Sequence, residues 1–383
     1  MPPAEKPAPA TPTAPPAPAP AAVMATPPPP PAPAPATPAP KLTWGGLVDT
    51  YYMYLFNPAS GMNSLTAPVG RAFDVNPNSF NLSLAKVSLN AAMDPVSFQL
   101  DVGYGDAATV VNGTSLPSAG GQTAPSFFVE QAYGEIALPG NLTIDFGKFA
   151  TTAGAEVIEA NKNWLYSRSF LFTIIPFVHT GVRANLKIND QLTLQASLVN
   201  SYGSPLADPD NNAWKTVGLS ASVTINPMAS IIATAYIGKE ATEVGTTIPG
   251  SVTVLVDLVG AFTISDKLGL NVNFDYVKAP PLTSVSDDHQ IGVAVMGRYV
   301  ISDHLNFAAR GEFLQNHFGG VSSNVEEGTV MLGIDVGKNF ELRPELRGDF
   351  SGDDVFGVDT STTPTSTTKK NQFTGTVAAL TWF

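Results

Sequence analysis

From Lys41 to the last residue the chain repeats one pattern, an apolar residue followed by a polar or small one. Successive side chains of a β-strand point to opposite faces, so strict alternation gives each strand one greasy face and one wet face. Val96, Phe98, Leu100, Val102 and Tyr104 alternate with Ser97, Gln99, Asp101 and Gly103. Leu268, Leu270, Val272, Phe274 and Tyr276 alternate with Gly269, Asn271, Asn273 and Asp275. Phe340, Leu342, Leu346 and Phe350 oppose Glu341, Arg343, Glu345, Arg347 and Asp349. No run of about eighteen apolar residues occurs, which excludes a spanning helix. The longest apolar stretch, near 170–178, is broken by Thr173 and Pro176.

The alternation predicts strands near 42–56, 80–93, 96–106, 126–138, 141–151, 177–189, 191–202, 215–226, 229–240, 251–264, 267–278, 290–301, 304–316, 326–337, 339–351 and 371–383. That is about sixteen, and even, as single-chain outer-membrane barrels require. Short turns centre on Asp94–Pro95, Pro139–Gly140, Asn189–Asp190, Asn226–Pro227, Ser265–Asp266, Ser302–Asp303 and Lys338–Asn339, all residues that favour tight turns. Between them lie longer connections at about 57–79, 107–125, 152–176, 203–214, 241–250, 279–289, 317–325 and 352–370. Short periplasmic turns and long external loops are the pattern of transmembrane barrels, and periplasmic termini put every connection on the matching side.

Size decides which face points inward. A closed sheet of roughly sixteen strands is too wide for its own side chains to fill, so its interior is wet and its exterior apolar. An open edge within lipid is not viable. Charged residues make up 14% of the chain, against about 25% in soluble domains. The expected fold is therefore an all-β transmembrane antiparallel barrel. A net charge of −12 argues against nucleic-acid binding, and the lack of cysteine removes disulfides, thiolate zinc sites and thiol nucleophiles.

Residues 1–40 are almost entirely Pro and Ala and hold 18 of the 34 prolines. Such a segment cannot build a core and is expected to be disordered or an extended polyproline spacer. A sharper reading is a periplasmic spacer reaching the peptidoglycan. Met1 is followed by Pro2 and Pro3 with no apolar h-region, so no secretory signal is visible. An outer-membrane location requires one, removed or upstream. At the other end the last strand finishes on Trp382 and Phe383, an aromatic able to anchor at a membrane interface.

One segment is denser in chemistry than the rest. It runs Gly147-Lys148-Phe149, Gly154-Ala155-Glu156, Ala160-Asn161-Lys162-Asn163-Trp164, Ser167-Arg168-Ser169, then Ile175-Pro176-Phe177-Val178-His179-Thr180-Gly181. In order and spacing it resembles the OmpL-like β-barrel porins of Gram-negative bacteria, with the motif over about 145–185 and the texture over 41–383. The resemblance implies an outer-membrane pore that touches lipid and lipopolysaccharide, passes small solutes or ions, and is inserted by the barrel-assembly machinery. The terminal Phe383 resembles the signal that machinery reads. Porins of this size are often homotrimers, but no trimer signature is visible.

The connection 152–176 is expected to fold inward and narrow the pore. Glu156, Glu159, Asn161, Asn163, Arg168, His179 and Arg183 are its candidate constriction residues, with Tyr166 beside them. Charges in a constriction set solute preference. The alternative is that Glu156, Glu159 and Arg168 brace the loop to the wall, and both can hold together. Arg298, Arg310, Glu312, Glu341, Arg343, Glu345 and Arg347 are expected on the lumen wall, most of them paired across strands.

Enzyme chemistry has little support. Of the four histidines, His179, His289, His304 and His317, only His179 has a rich polar neighbourhood. Ser167, His179 and Glu159 can be drawn as a triad, but no spacing requires it. Asp208, Asp210 and Asn211, with Asn212, are oxygen ligands close in sequence, either a calcium site or a turn. EF-hand spacing, dinucleotide motifs and phosphate loops are absent, so no cofactor is expected.

Overall fold

Alternating segments rich in Val, Leu, Ile, Phe and Thr become strands because branched and aromatic side chains fit a pleated surface. The computed structural model describes residues 40–56, 71–112, 126–202, 213–240, 252–278, 288–356 and 369–383. Asp208, Asp210 and Asn211 and the tail 1–39 lie outside the described residues.

Sixteen strands close into one barrel in which sequence neighbours pair antiparallel and β1 meets β16. They are β1 (Lys41–Leu55), β2 (Ser79–Met93), β3 (Val96–Gly105), β4 (Ser126–Leu138), β5 (Leu142–Ala150), β6 (Val178–Lys187), β7 (Leu192–Val199) and β8 (Thr216–Asn226). Then follow β9 (Ala229–Lys239), β10 (Val252–Ser265), β11 (Leu268–Lys278), β12 (His289–Ser302), β13 (Leu305–Phe318), β14 (Val321–Asp335), β15 (Phe340–Ser351) and β16 (Asn371–Trp382). Closure runs from Leu47 opposite Trp382 to Leu55 opposite Thr374. Phe383 extends it by exchanging backbone bonds with Gly46, and its exposed ring meets Trp44 edge-on at 5.0 Å.

The faces sort as size demands. Phe98, Tyr104, Leu346, Phe350 and Val377 are exposed on the outside, whereas Asp101, Glu341, Arg343, Glu345, Arg347 and Asp349 are buried inside. Every backbone group of a closed sheet finds a partner, which lipid requires.

Strand positions agree with the sequence reading to within a few residues, except that β14 begins five residues early. The connection expected over 317–325 is a two-residue turn at Gly319–Gly320, with φ of 59° and 82°. Both positive angles are those of a type I′ hairpin, which glycine adopts without steric cost. Ser322 and Asn324 are exposed strand residues; being polar rather than apolar, they read as loop.

The interior is the larger departure. Among the described residues two short α-helices, α1 (Asp106–Asn112) and α2 (Phe170–Ile174), lie in connections that carry no period-two alternation. Strand side chains alone do not fill the lumen, but chain segments enter it. One apolar cluster joins Tyr51, Met53, Met296, Leu314, Met331 and Leu380 of the wall to Leu165, Tyr166, Phe170 and Leu171 of the β5–β6 connection. A second joins Leu84, Phe128, Tyr236 and Leu255 to Phe73, Ala107, Ile158, Phe172 and Ile175.

Candidate functional site

The β5–β6 connection leaves the wall at a closed neck, where the Thr151 amide donates to the Phe177 carbonyl at 3.0 Å. It then crosses the interior. Gly154 has φ +90° and packs against Ile175 where a Cβ would stand, so the first bend needs glycine. Asn163 fixes the second bend, its amide donating to the Val157 carbonyl at 2.7 Å while its oxygen accepts from the Val157 N–H at 2.9 Å. Ser169 caps α2 by accepting from the Phe172 N–H at 3.0 Å.

An irregular segment away from water carries backbone groups that need partners. The wall supplies them by sign. Glu345 accepts from the Tyr166 and Ser167 amides at 2.7 and 3.1 Å, and Glu312 from the Phe170 and Leu171 amides at 2.8 and 2.6 Å. Arg310, Arg343 and Arg347 donate to the carbonyls of Ser167, Ala160 and Arg168 at 2.8, 2.7 and 2.6 Å. Ion pairs add to this, with Arg310 to Glu156 at 2.9 Å and to Glu327 at 2.8 Å. Across the lumen, Lys86 of β2 reaches Glu159 and Glu130 at 2.8 Å and Asp101 at 3.2 Å.

Of the candidate constriction residues, Glu156, Glu159, Asn163, Arg168 and His179 are buried, while Asn161 and Arg183 are partly exposed. Arg168 turns back on its own segment, donating to the carbonyls of Val157, Tyr166 and Ile158. Burial by itself would raise the Glu159 pKa, but Lys86 and Lys162 outweigh it and hold the carboxyl down at about 2. Burial pushes the Tyr166 phenol well above its usual range, with nearby Asp49, to which it donates at 3.0 Å, adding to the rise. Arg183 stands apart, paired with Asp145 at 2.7 Å and lying over the Phe149 ring at 4.3 Å.

The sequence of residues 41–383 matches the family described as "Putative beta-barrel porin-2, OmpL-like". The chain belongs to that family. No curated protein matches this porin chain by sequence. Among solved structures it is similar to OmpT of Vibrio cholerae in its trimer form, at 14% identity and a TM-score of 0.60, covering 90% of this chain and all of that one. It is likewise similar to the anion-selective porin of Comamonas acidovorans, at 11% identity and a TM-score of 0.59, with 90% and 100% covered. OprB of Pseudomonas putida gives 12%, 0.58, and coverage of 90% and 94%. At such identities these likenesses show the fold.

Within this porin the seven predicted wall residues divide. Arg310, Glu312, Arg343, Glu345 and Arg347 gather around the internal segment; Glu341 pairs with Arg343 at 2.7 Å, and Arg298 lies apart, half-buried on β12. Ser167, His179 and Glu159 do not form a triad. Ser167 Oγ accepts from Arg310 at 3.2 Å, and His179 shares its Nδ1 with the Ser201 carbonyl at 3.2 Å while stacking on Tyr236. Among the described residues no three His, Cys, Asp or Glu side chains assemble as a metal cluster. Asp49, Lys86 and Asn273 were missed as partners of the segment. The signal was there, since each is polar at an inward position of an alternating strand.

Proposed function

We propose that this porin forms a water-filled outer-membrane channel in which the 152–176 connection sets the width for passive diffusion of small hydrophilic solutes or ions. The observation that carries the reading is the segment held inside the barrel by Glu312, Glu345, Arg310, Arg343, Arg347 and Lys86. Glu156 and Arg168 act in this reading as braces. The exposed Lys162 and the partly exposed Asn161, Trp164 and Arg183 are the groups a passing solute meets. The short-turn end and both termini face the periplasm, and Phe383 serves assembly. The chain works without chemical catalysis, since His179, Ser167 and Glu159 each serve other partners.

Liposome swelling with sugars of increasing size tests this. Rapid entry of monosaccharides with a sharp fall for oligosaccharides is the expected result; uniform entry of all sizes, or of none, contradicts it.

The protein also forms a homotrimer in this reading, through β6–β9. The eight residues of β7 extend about 27 Å, or about 19 Å along the membrane normal at a 45° tilt, less than the apolar band of about 25 Å. A wall too short for lipid is relieved by burial against a neighbour. Small outward residues Ala184, Ala196, Ala221, Ala233 and Ala235 lie side by side on these strands, with Ala184 opposite Ala196 and Ala221 opposite Ala233. Residues 1–40 form a spacer toward peptidoglycan in a compatible second role, supported by their composition. Deleting them then lowers cell-wall retention and leaves conductance intact.

A further inference from the structure

Three basic side chains meet on the outer face of the barrel at its long-connection end. Lys278 of β11 stands directly opposite His289 of β12, and His289 directly opposite His317 of β13. Directly opposed residues of paired strands share a face. The other face is the interior, where Asp275 and Val277 of β11 and Leu314 and Asn316 of β13 are buried. Lys278 is exposed and both histidines are half-buried. The two imidazoles stack with centroids 5.1 Å apart and planes 25° apart. His317 Nδ1 lies 2.8 Å from the Ser322 hydroxyl, which leaves the Nε2 edge for a ligand. Asp288, the neighbour of His289 in sequence, is buried and accepts from the Gly319 N–H at 2.8 Å.

Depth decides what these groups face. The outward residues of β12 between Tyr299 and His289 are Gly297, Val295, Val293 and Ile291. From Tyr299 to His289 the strand climbs about 24 Å along the membrane normal at a 45° tilt, close to the apolar band of about 25 Å. Tyr276, its ring 6.2 Å from that of His289, marks the edge of the band as interfacial aromatics do. A cation within hydrocarbon is costly, whereas just beyond it lie the charged lipid headgroups. We propose that Lys278, His289 and His317 together bind a phosphate group of an anionic outer-leaflet lipid of the lipopolysaccharide class. The ammonium pairs with the phosphate oxygens, and each imidazole donates an N–H to one of them. β11 to β13 lie outside the β6–β9 flank, so lipid reaches them in the trimer as well. The site rests on the reading that the long-connection end faces outward, and not on what the channel passes.

The test is native mass measurement of the full chain, released from detergent with lipid A added in its diphosphorylated or its dephosphorylated form. The expected result is one lipid held per chain, with affinity about tenfold or more higher for the phosphorylated form. The Lys278→Gln/His289→Gln/His317→Gln variant loses that preference and holds the dephosphorylated form as before. The Lys187→Gln/Lys267→Gln variant, changed at exposed positions of the short-turn end, keeps it. Circular dichroism checks that each variant folds, and the comparison of the two lipids on the parent needs no variant. Inorganic phosphate alone binds about a hundredfold or more weaker, because it brings no acyl chains. A parent that holds both lipid forms equally overturns the proposal. So does a preference that survives the triple variant, or inorganic phosphate that binds as tightly as the lipid. Conductance is read separately on the same preparation. A parent that prefers the phosphorylated lipid without conducting leaves this site standing and contradicts the channel; a conducting parent without the preference does the reverse.

Discussion

At the level of single residues, the interior shows charges used as backbone partners. Glu345 takes two consecutive amides of the internal segment and Glu312 takes two more. Removing such a carboxylate strands two buried donors, and each costs about 1–3 kcal/mol. Glu345→Ala should therefore lower the unfolding free energy in guanidinium by about 3 kcal/mol, while Glu326→Ala, on an exposed outward position of β14, changes little. Equal effects of the two would remove Glu345 from the account. These pairings were not legible in the sequence. Alternation places Glu345 and Glu312 on the inner face, but cross-strand pairing was the natural expectation for mixed charges. Only the path of the connection between β5 and β6 shows that backbone groups claim them first.

At the level of elements, strands were readable and the segments inside them were not. A strand displays its period in the sequence because one side faces lipid and the other does not. The 152–176 connection has no period, since its contacts come from strands as distant as β1, β9, β13 and β15. Its polar density was the visible signal, and its apolar residues Leu165, Phe170 and Leu171 read as loop although they pack in the core. Docking of this element depends on pH through Glu159. The carboxyl is held at about 2 when docked, against 4.5 ordinarily. Its contribution is complete above about pH 4.5 and is lost as the pH falls toward 2. The fluorescence of Trp164, read as the difference between the parent and Trp164→Phe, should report release in that window. Lys86→Met should move the transition upward; a transition that does not move would assign the docking to other contacts.

At the level of the whole molecule, the wall varies from 8 residues in β7 to 15 in β1, β2 and β14. A barrel in lipid on all sides gains nothing from one short flank, whereas an assembly of copies hides it. Ala196→Arg puts a charge at the centre of that flank, and the expected outcome is monomer in place of trimer by native mass measurement in mild detergent. A parent that is monomeric from the start contradicts the assembly.

Channel function rests on a greasy exterior, a wet interior and a segment that narrows it. Single-channel recording in a planar bilayer tests all three with two proteins, the parent and one with residues 155–173 replaced by a short Gly-Ser link that preserves the Thr151–Phe177 neck. The parent should conduct in small, resolved steps and the shortened chain in steps several times larger. Equal steps from both would contradict the account, as would a parent that never inserts.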